Sequence, residues 1–96
     1  MSNRVAFVTG GAQGIGQGIS ETLGANGFRV AVADLNLEAA EATAKRIVEA
    51  GGKAIAVHVD VTTTESVRSA VKTVGAELGE VEIVVNNAGW DTSCRS

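Results

Sequence analysis

Thr9-Gly10-Gly11-Ala12-Gln13-Gly14-Ile15-Gly16 is the stretch that decides the fold of this 96-residue chain. Before it lies an apolar run, residues 5–8, of the kind that forms a buried strand. After it, Ile15, Ile19 and Leu23 recur at helical spacing. A glycine-rich turn between a strand and a helix is a phosphate cradle. Glycine adopts positive φ without strain and leaves no Cβ between backbone and ligand. The helix start then aims unpaired N–H groups, and the positive end of its dipole, at an anion.

The rest of the chain alternates strand and helix around that turn. Residues 4–9 read as the first strand and 15–26 as the first helix, stopped near Gly27. Residues 29–34 form a second strand, apolar on both faces as a parallel strand should be. Asn36 is placed to cap a second helix whose stripe is Leu37, Ala40, Ala44, Ile47 and Val48, with Gly51-Gly52 as its end. A third strand spans 53–59, followed by the cap region Thr62-Thr63-Thr64. Val67, Ala70, Val71, Val74 and Leu78 mark a third helix, Gly79 ends it, and 81–86 is a fourth strand. This alternation predicts an α/β, Rossmann-like, doubly wound parallel sheet that is incomplete, with four strands in the order 3-2-1-4 and three helices. The first two helices are expected on one face and the third on the other. Ile83-Val84-Val85 would then lie on an open edge, a site for pairing.

Composition narrows the partners. Hydrophobic residues make up 45%, too many for disorder. A net charge of -3 provides no basic excess for nucleic acid. No apolar run reaches the length of a membrane span. Met1-Ser2-Asn3-Arg4 has no signal-peptide pattern, so the expected compartment is cytoplasmic. The single cysteine, Cys94, excludes an internal disulfide and a CxxC metal site. No metal ligands are assigned.

Four motifs follow one another in order: Thr9-Gly10-x-x-x-Gly14-x-Gly16, an acid closing the second strand at Asp34, Asp60-Val61, and Asn86-Asn87-Ala88-Gly89. Together they resemble the short-chain dehydrogenase/reductase family over residues 4–90. A lone glycine motif is weak, whereas four motifs placed in a βαβ frame are specific. In that frame Gly10 permits the tight turn, Gly14 lets the backbone approach a diphosphate, and Gly16 lets the helix pack close to the sheet. Ile15 offers its backbone N–H to phosphate while its side chain packs inward.

Asp34 falls at the carboxyl end of strand two, where such sheets bind ligands. A carboxylate there accepts hydrogen bonds from both hydroxyls of an adenosine ribose and repels a 2′-phosphate. Family members that prefer the phosphorylated cofactor carry a basic residue in the glycine loop or just after the acid. Here Gln13 and Leu35 stand in those places, both neutral, so the expected cofactor is NAD(H) over NADP(H). The plainer alternative is that Asp34 caps the next helix. The family places Asp60 against the adenine amino group and the adjacent Val61 N–H against the ring. Taken alone, Asp60 reads equally as an acid ending a strand and capping a turn. Asn87, Ala88 and Gly89 resemble the segment beside the nicotinamide ribose. Asn86 reads as a tie from strand four to its neighbour, His58 as structural, and Trp90 as a cover over a ligand or, more simply, a plug on the open edge.

Family members are more than twice as long, and their chemistry uses a Ser, a Tyr and a Lys four residues after the Tyr. This sequence contains no tyrosine, and no catalytic residue is assigned. The resemblance stops after Asp91, dividing the chain into a partial dinucleotide-binding domain, residues 1–91, and a short polar tail, 92–96. The expectation is a truncated or frameshifted product that binds NAD(H) but is catalytically incompetent alone. Its parent reaction would be hydride transfer between NAD(H) and a secondary alcohol or ketone. The alternative is a stand-alone nucleotide-binding or self-associating module without catalysis.

Overall fold

The computed structural model describes residues 4–60 and 62–86. Four strands alternate with three helices: β1 (Val5–Thr9), α1 (Gly14–Ala25), β2 (Arg29–Asp34), α2 (Leu37–Glu49), β3 (Lys53–His58), α3 (Thr64–Glu77) and β4 (Val81–Asn86). The strands form one sheet in the order β3-β2-β1-β4. Every pairing is parallel. This is the expected Rossmann-like arrangement. Four boundaries differ by one residue: β1 begins at Val5, α1 begins at Gly14 and ends at Ala25, and β3 ends at His58.

The central strands β1 and β2 are covered on both faces, which is why they read as continuous apolar runs. Val8, Val30 and Val32 turn to the face covered by α2 through Ala40, Ala44 and Ile47, with Ile19 and Leu23 of α1 packed alongside. Val5, Phe7, Ala31, Ala33, Val57 and Val59 turn to the other face, closed by Ala70 and Val74 of α3. The helices therefore divide two to one between the faces, as right-handed crossovers require. Gly27 and Gly51 end α1 and α2 in one manner. In α1, Phe28 N donates to Leu23 O and Gly27 N to Gly24 O; in α2, Gly52 N donates to Ile47 O and Gly51 N to Val48 O. These are Schellman closures, which satisfy the last carbonyls of each helix. The C-terminus of α3 is held across the sheet by Arg29, whose Nη1 donates to Leu78 O at 2.8 Å.

The helix stripes differ from the sequence expectation in an informative way. The buried line of α1 is Gly16, Ser20 and Gly24, a row of small residues at i, i+4 and i+8. Ile19 and Leu23 flank it, only partly buried, and Ile15 is 76% exposed. Hydrophobic spacing selected the large residues, but the helix approaches its neighbours through the small ones. A Cβ on Gly24 would lie 2.6 Å from Ile47 Cγ2, so this glycine sets the α1–α2 distance. In α2 the stripe ends are also overturned: Leu37 and Val48 lie exposed, whereas Thr43 is buried. These two stripe residues sit at the ends of α2, and the buried part is Ala40, Thr43, Ala44 and Ile47 in its middle turns.

β4 pairs only with β1 among the described strands. Its register slips between Val5 and Ala6, which face Val81 and Ile83, so Glu82 is the extra residue of a bulge. Val84, the register partner of Phe7, is 61% exposed, in keeping with the expected open position of this strand.

Candidate functional site

All four strands run the same way, so their carboxyl ends share one crest. Thr9, Asp34, His58 and Asn86 are the last residues of β1 to β4. The glycine loop leaves β1 at that crest and is pinned from two sides. Gly11 N donates to Ala33 O of β2 at 3.1 Å, and Ser20 Oγ, fully buried in α1, donates to Gly11 O at 3.2 Å. Gly10 takes φ 67° to make the turn, as the motif requires. Gly14 takes φ 48° at the first residue of α1, and a Cβ built on it meets nothing within 4 Å among the described residues. The backbone at Gly14 is thus bare on its open side. Gly16 is buried in the first turn of the helix.

Among the described residues, no side chain of α1 itself serves the positive pole at its amino end. Gln13 occupies the N-cap position but gives no side-chain cap, and the first turn holds no acid. By contrast α2 is capped by Asn36, whose Oδ1 accepts from Ala39 N at 3.1 Å, and carries Glu38 in its first turn. Ile15 does not pack inward as expected. Its side chain is among the most exposed large hydrophobic groups, because the buried stripe runs through Gly16 one residue later. Leu35, at 65% exposure, stands beyond the end of β2 on the same crest.

Asp34 is brought directly to the loop. It is only 3% exposed. Its Oδ2 accepts from Ala12 N at 3.2 Å. Its Oδ1 accepts from Gln13 Nε2 at 3.3 Å and from Asn36 N at 3.0 Å. The bond from Asn36 N is the local turn expected of an acid before a helix. The cap of α2 itself falls to Asn36, so Asp34 is not the helix cap. The other two bonds join β2 to the glycine loop, 21 and 22 residues earlier in sequence.

Asp60 lies one strand farther out and is tied to its own turn. Its Oδ1 accepts from Thr62 Oγ1 at 2.6 Å and Thr62 N at 3.0 Å. Its backbone N–H donates to Ser66 Oγ at 2.9 Å. The Thr62 hydroxyl, then the Thr62 N–H, hold the Asp60 carboxyl below its ordinary value, with His58 adding a smaller attraction. The threonines expected to cap α3 thus fasten back onto Asp60: Thr63 is the N-cap residue, yet its hydroxyl donates to Asp60 O at 3.3 Å. Asn86 acts as the expected tie, its Oδ1 lying 3.1 Å from Thr9 Oγ1. Val61, Asn87, Ala88, Gly89, Trp90 and Cys94, with the tail 92–96, lie outside the described residues.

The structure therefore gathers Gly10, Gln13, Gly14, Ile15, Asp34 and Leu35 at one end of β1 and β2, with Asp60 at the end of β3. Sequence reasoning missed Gly11, Ala12 and Ser20, which set the loop's position. The only signal they leave is a buried serine in a helix, visible once the neighbours are known. Among the described residues no buried side-chain nitrogen or oxygen lacks a partner. No group of three or more His, Cys, Asp or Glu among them is placed to hold a metal, and no described helix is long and apolar enough to cross a membrane.

Comparison with known proteins agrees with this geometry. The family model for short chain dehydrogenase matches residues 4–96. An L-2,3-butanediol dehydrogenase of Corynebacterium glutamicum is 51% identical over 89 residues, covering 91% of this chain and 34% of that relative. A hydroxysteroid dehydrogenase from Escherichia coli superposes with TM-score 0.87 at 36% identity, covering 91% of this chain and 37% of that one. A structure assigned as a D-mannonate oxidoreductase from Haemophilus influenza, with bound NAD, reaches TM-score 0.89 at 28% identity, covering 96% of this chain and 33% of the other. The chain thus spans about a third of the length of these relatives. Nicotinamide dinucleotides are the cofactors of this family. Loop, crest and sequence match converge on one assignment: the chain belongs to the short chain dehydrogenase family.

Proposed function

We propose that this chain is an NAD(H)-gripping segment of a dehydrogenase acting between a secondary alcohol and its ketone. The observation that carries the cofactor assignment is the union of glycine loop and acid, Ala12 N to Asp34 Oδ2, at an amino end of α1 that has no side-chain cap. Gly14 gives a diphosphate access to backbone N–H groups, and the uncapped first turn of α1 favours its negative charge. Asp34 receives the adenosine ribose hydroxyls and repels a 2′-phosphate, while Gln13 and Leu35 offer that phosphate no positive charge. NAD(H) is therefore preferred over NADP(H). Asp60 with Val61 serves the adenine, and Asn87, Ala88 and Gly89 serve the nicotinamide ribose. A bound nicotinamide supplies the hydride acceptor or donor. The substrate class is supported by the relative named for L-2,3-butanediol, whose hydroxyls both sit on secondary carbons.

These 96 residues contain no tyrosine, so the family's general acid is not among them and they bind cofactor without turnover. The test is a thermal melt and a calorimetric titration of the purified chain with NAD(H) and NADP(H). Tighter binding and a larger thermal shift with NAD(H) are expected, because a ligand that binds only the folded state stabilises it. Substituting Asp34→Ala should narrow the preference between the two cofactors. An unchanged ratio removes Asp34 from the ribose site, and turnover of an alcohol by the chain alone refutes its incompetence.

A second reading, self-association through β4, is favoured by the exposure of Val84 on the outer strand. It calls for a concentration-dependent mass in sedimentation, lost in Val84→Lys.

A further inference from the structure

Asp34 already has three donors. Ala12 N approaches Oδ2, and Gln13 Nε2 and Asn36 N approach Oδ1. An ionised carboxylate offers about four lone-pair directions. Two ribose hydroxyls donating to it need two of them. Three resident donors and two arriving ones exceed the supply, so one resident must leave. Ala12 N and Asn36 N belong to the backbone of the loop and of the α2 cap, and neither withdraws without moving those elements. Gln13 is exposed, and its amide reaches Asp34 at 3.3 Å, the longest of the three contacts. It alone withdraws by side-chain rotation.

We infer that the Gln13 amide is a placeholder for a ribose hydroxyl: it satisfies Asp34 Oδ1 in the free protein and is displaced when the adenosine diol arrives. This rests on the assignment of the cofactor to this crest and goes beyond it. Gln13 then contributes to the resting state of Asp34 and works against ligand affinity, so it regulates the site through the acid. In the free protein the bond gives Oδ1 a second donor beside Asn36 N, in a carboxylate that is 3% exposed.

The test is a titration of wild type, Gln13→Met, Asp34→Ala and the double variant with NAD+ and with the NAD+ analogue lacking both adenosine ribose hydroxyls. Methionine keeps the length of glutamine and removes the donor. Gln13→Met is expected to bind NAD+ roughly two- to tenfold more tightly, the range one net hydrogen bond commands. The gain should vanish with the dideoxy analogue and in the Asp34→Ala background, where nothing is displaced. A purely local role for Gln13 in the loop would change both ligands alike. Tight NAD+ binding by wild type with equal or weaker binding by Gln13→Met overturns this inference and leaves the cofactor assignment standing. Absence of binding by wild type to any dinucleotide overturns both.

Discussion

Replacing Gly14 with alanine separates what this glycine does for the fold from what it does for a ligand. The residue holds φ 48°, and among the described residues the added Cβ meets no atom within 4 Å. The free protein therefore registers only backbone strain. A left-handed conformation costs an L-residue about 1–2 kcal/mol. For a domain of this size that lowers the melting temperature by roughly 4–16 °C. Gly18 is the control, four residues on in the same helix. Its Cβ also meets nothing, but its backbone is ordinary helix. Gly18→Ala should gain about 0.8–1 kcal/mol from helix propensity, raising the melt by roughly 4–8 °C. Binding distinguishes the two further. The Gly14 methyl stands on the open side of the loop, where the proposed site brings a diphosphate to the backbone. Loss of that approach is expected to weaken NAD+ by at least about tenfold, or about 1.4 kcal/mol, while Gly18→Ala binds as wild type. Circular dichroism melts and calorimetric titrations at 25 °C read both effects. Undiminished NAD+ affinity in folded Gly14→Ala would refute the cradle, whatever the melt showed.

Further outcomes follow from single contacts. Asn36→Ala removes the acceptor for Ala39 N and should destabilise the chain by about 0.5–2 kcal/mol, seen as a lower urea midpoint with an unchanged slope. Gly75→Ala, in α3 with open space around the new Cβ, should raise stability by about 0.8–1 kcal/mol; a fall would show that α3 packs against something at that face. Thr62→Val deletes the hydroxyl that depresses the Asp60 carboxyl, so carboxylate NMR titration should find that group moved up toward its ordinary value. The sign of the accompanying pH effect is set by the depression. The contribution of Asp60 to stability is fully present above the unfolded carboxyl value, about 3.9, and is lost as pH falls through the folded one. In Thr62→Val that loss shrinks, and acid melts of wild type and variant should converge at low pH. Arg46→Ala breaks the 3.2 Å pair with Glu21 between α2 and α1. Both partners are substantially exposed, so the melt should change by no more than about 1 kcal/mol; a larger drop would assign Arg46 a packing role.

The sequence by itself determined the order of elements, the parallel sheet and the side of the sheet each helix takes. Those follow from local periodicity and the handedness of crossovers, and both are properties of short stretches of chain. It also placed the glycine loop and Asp34 at the same end of the sheet, because a strand–turn–helix pattern dictates which strand ends meet. Tertiary structure alone decided which line of α1 is buried. Ile15 points to solvent and Ser20 is enclosed, since α1 packs by distance of approach, and a row of Gly16, Ser20 and Gly24 permits a closeness that larger side chains forbid. It alone decided how the acid is held: three donors from three positions converge on Asp34, two of them from more than 20 residues earlier. Hydrogen bonding of that kind depends on where a side chain ends, a quantity that hydropathy and spacing do not contain.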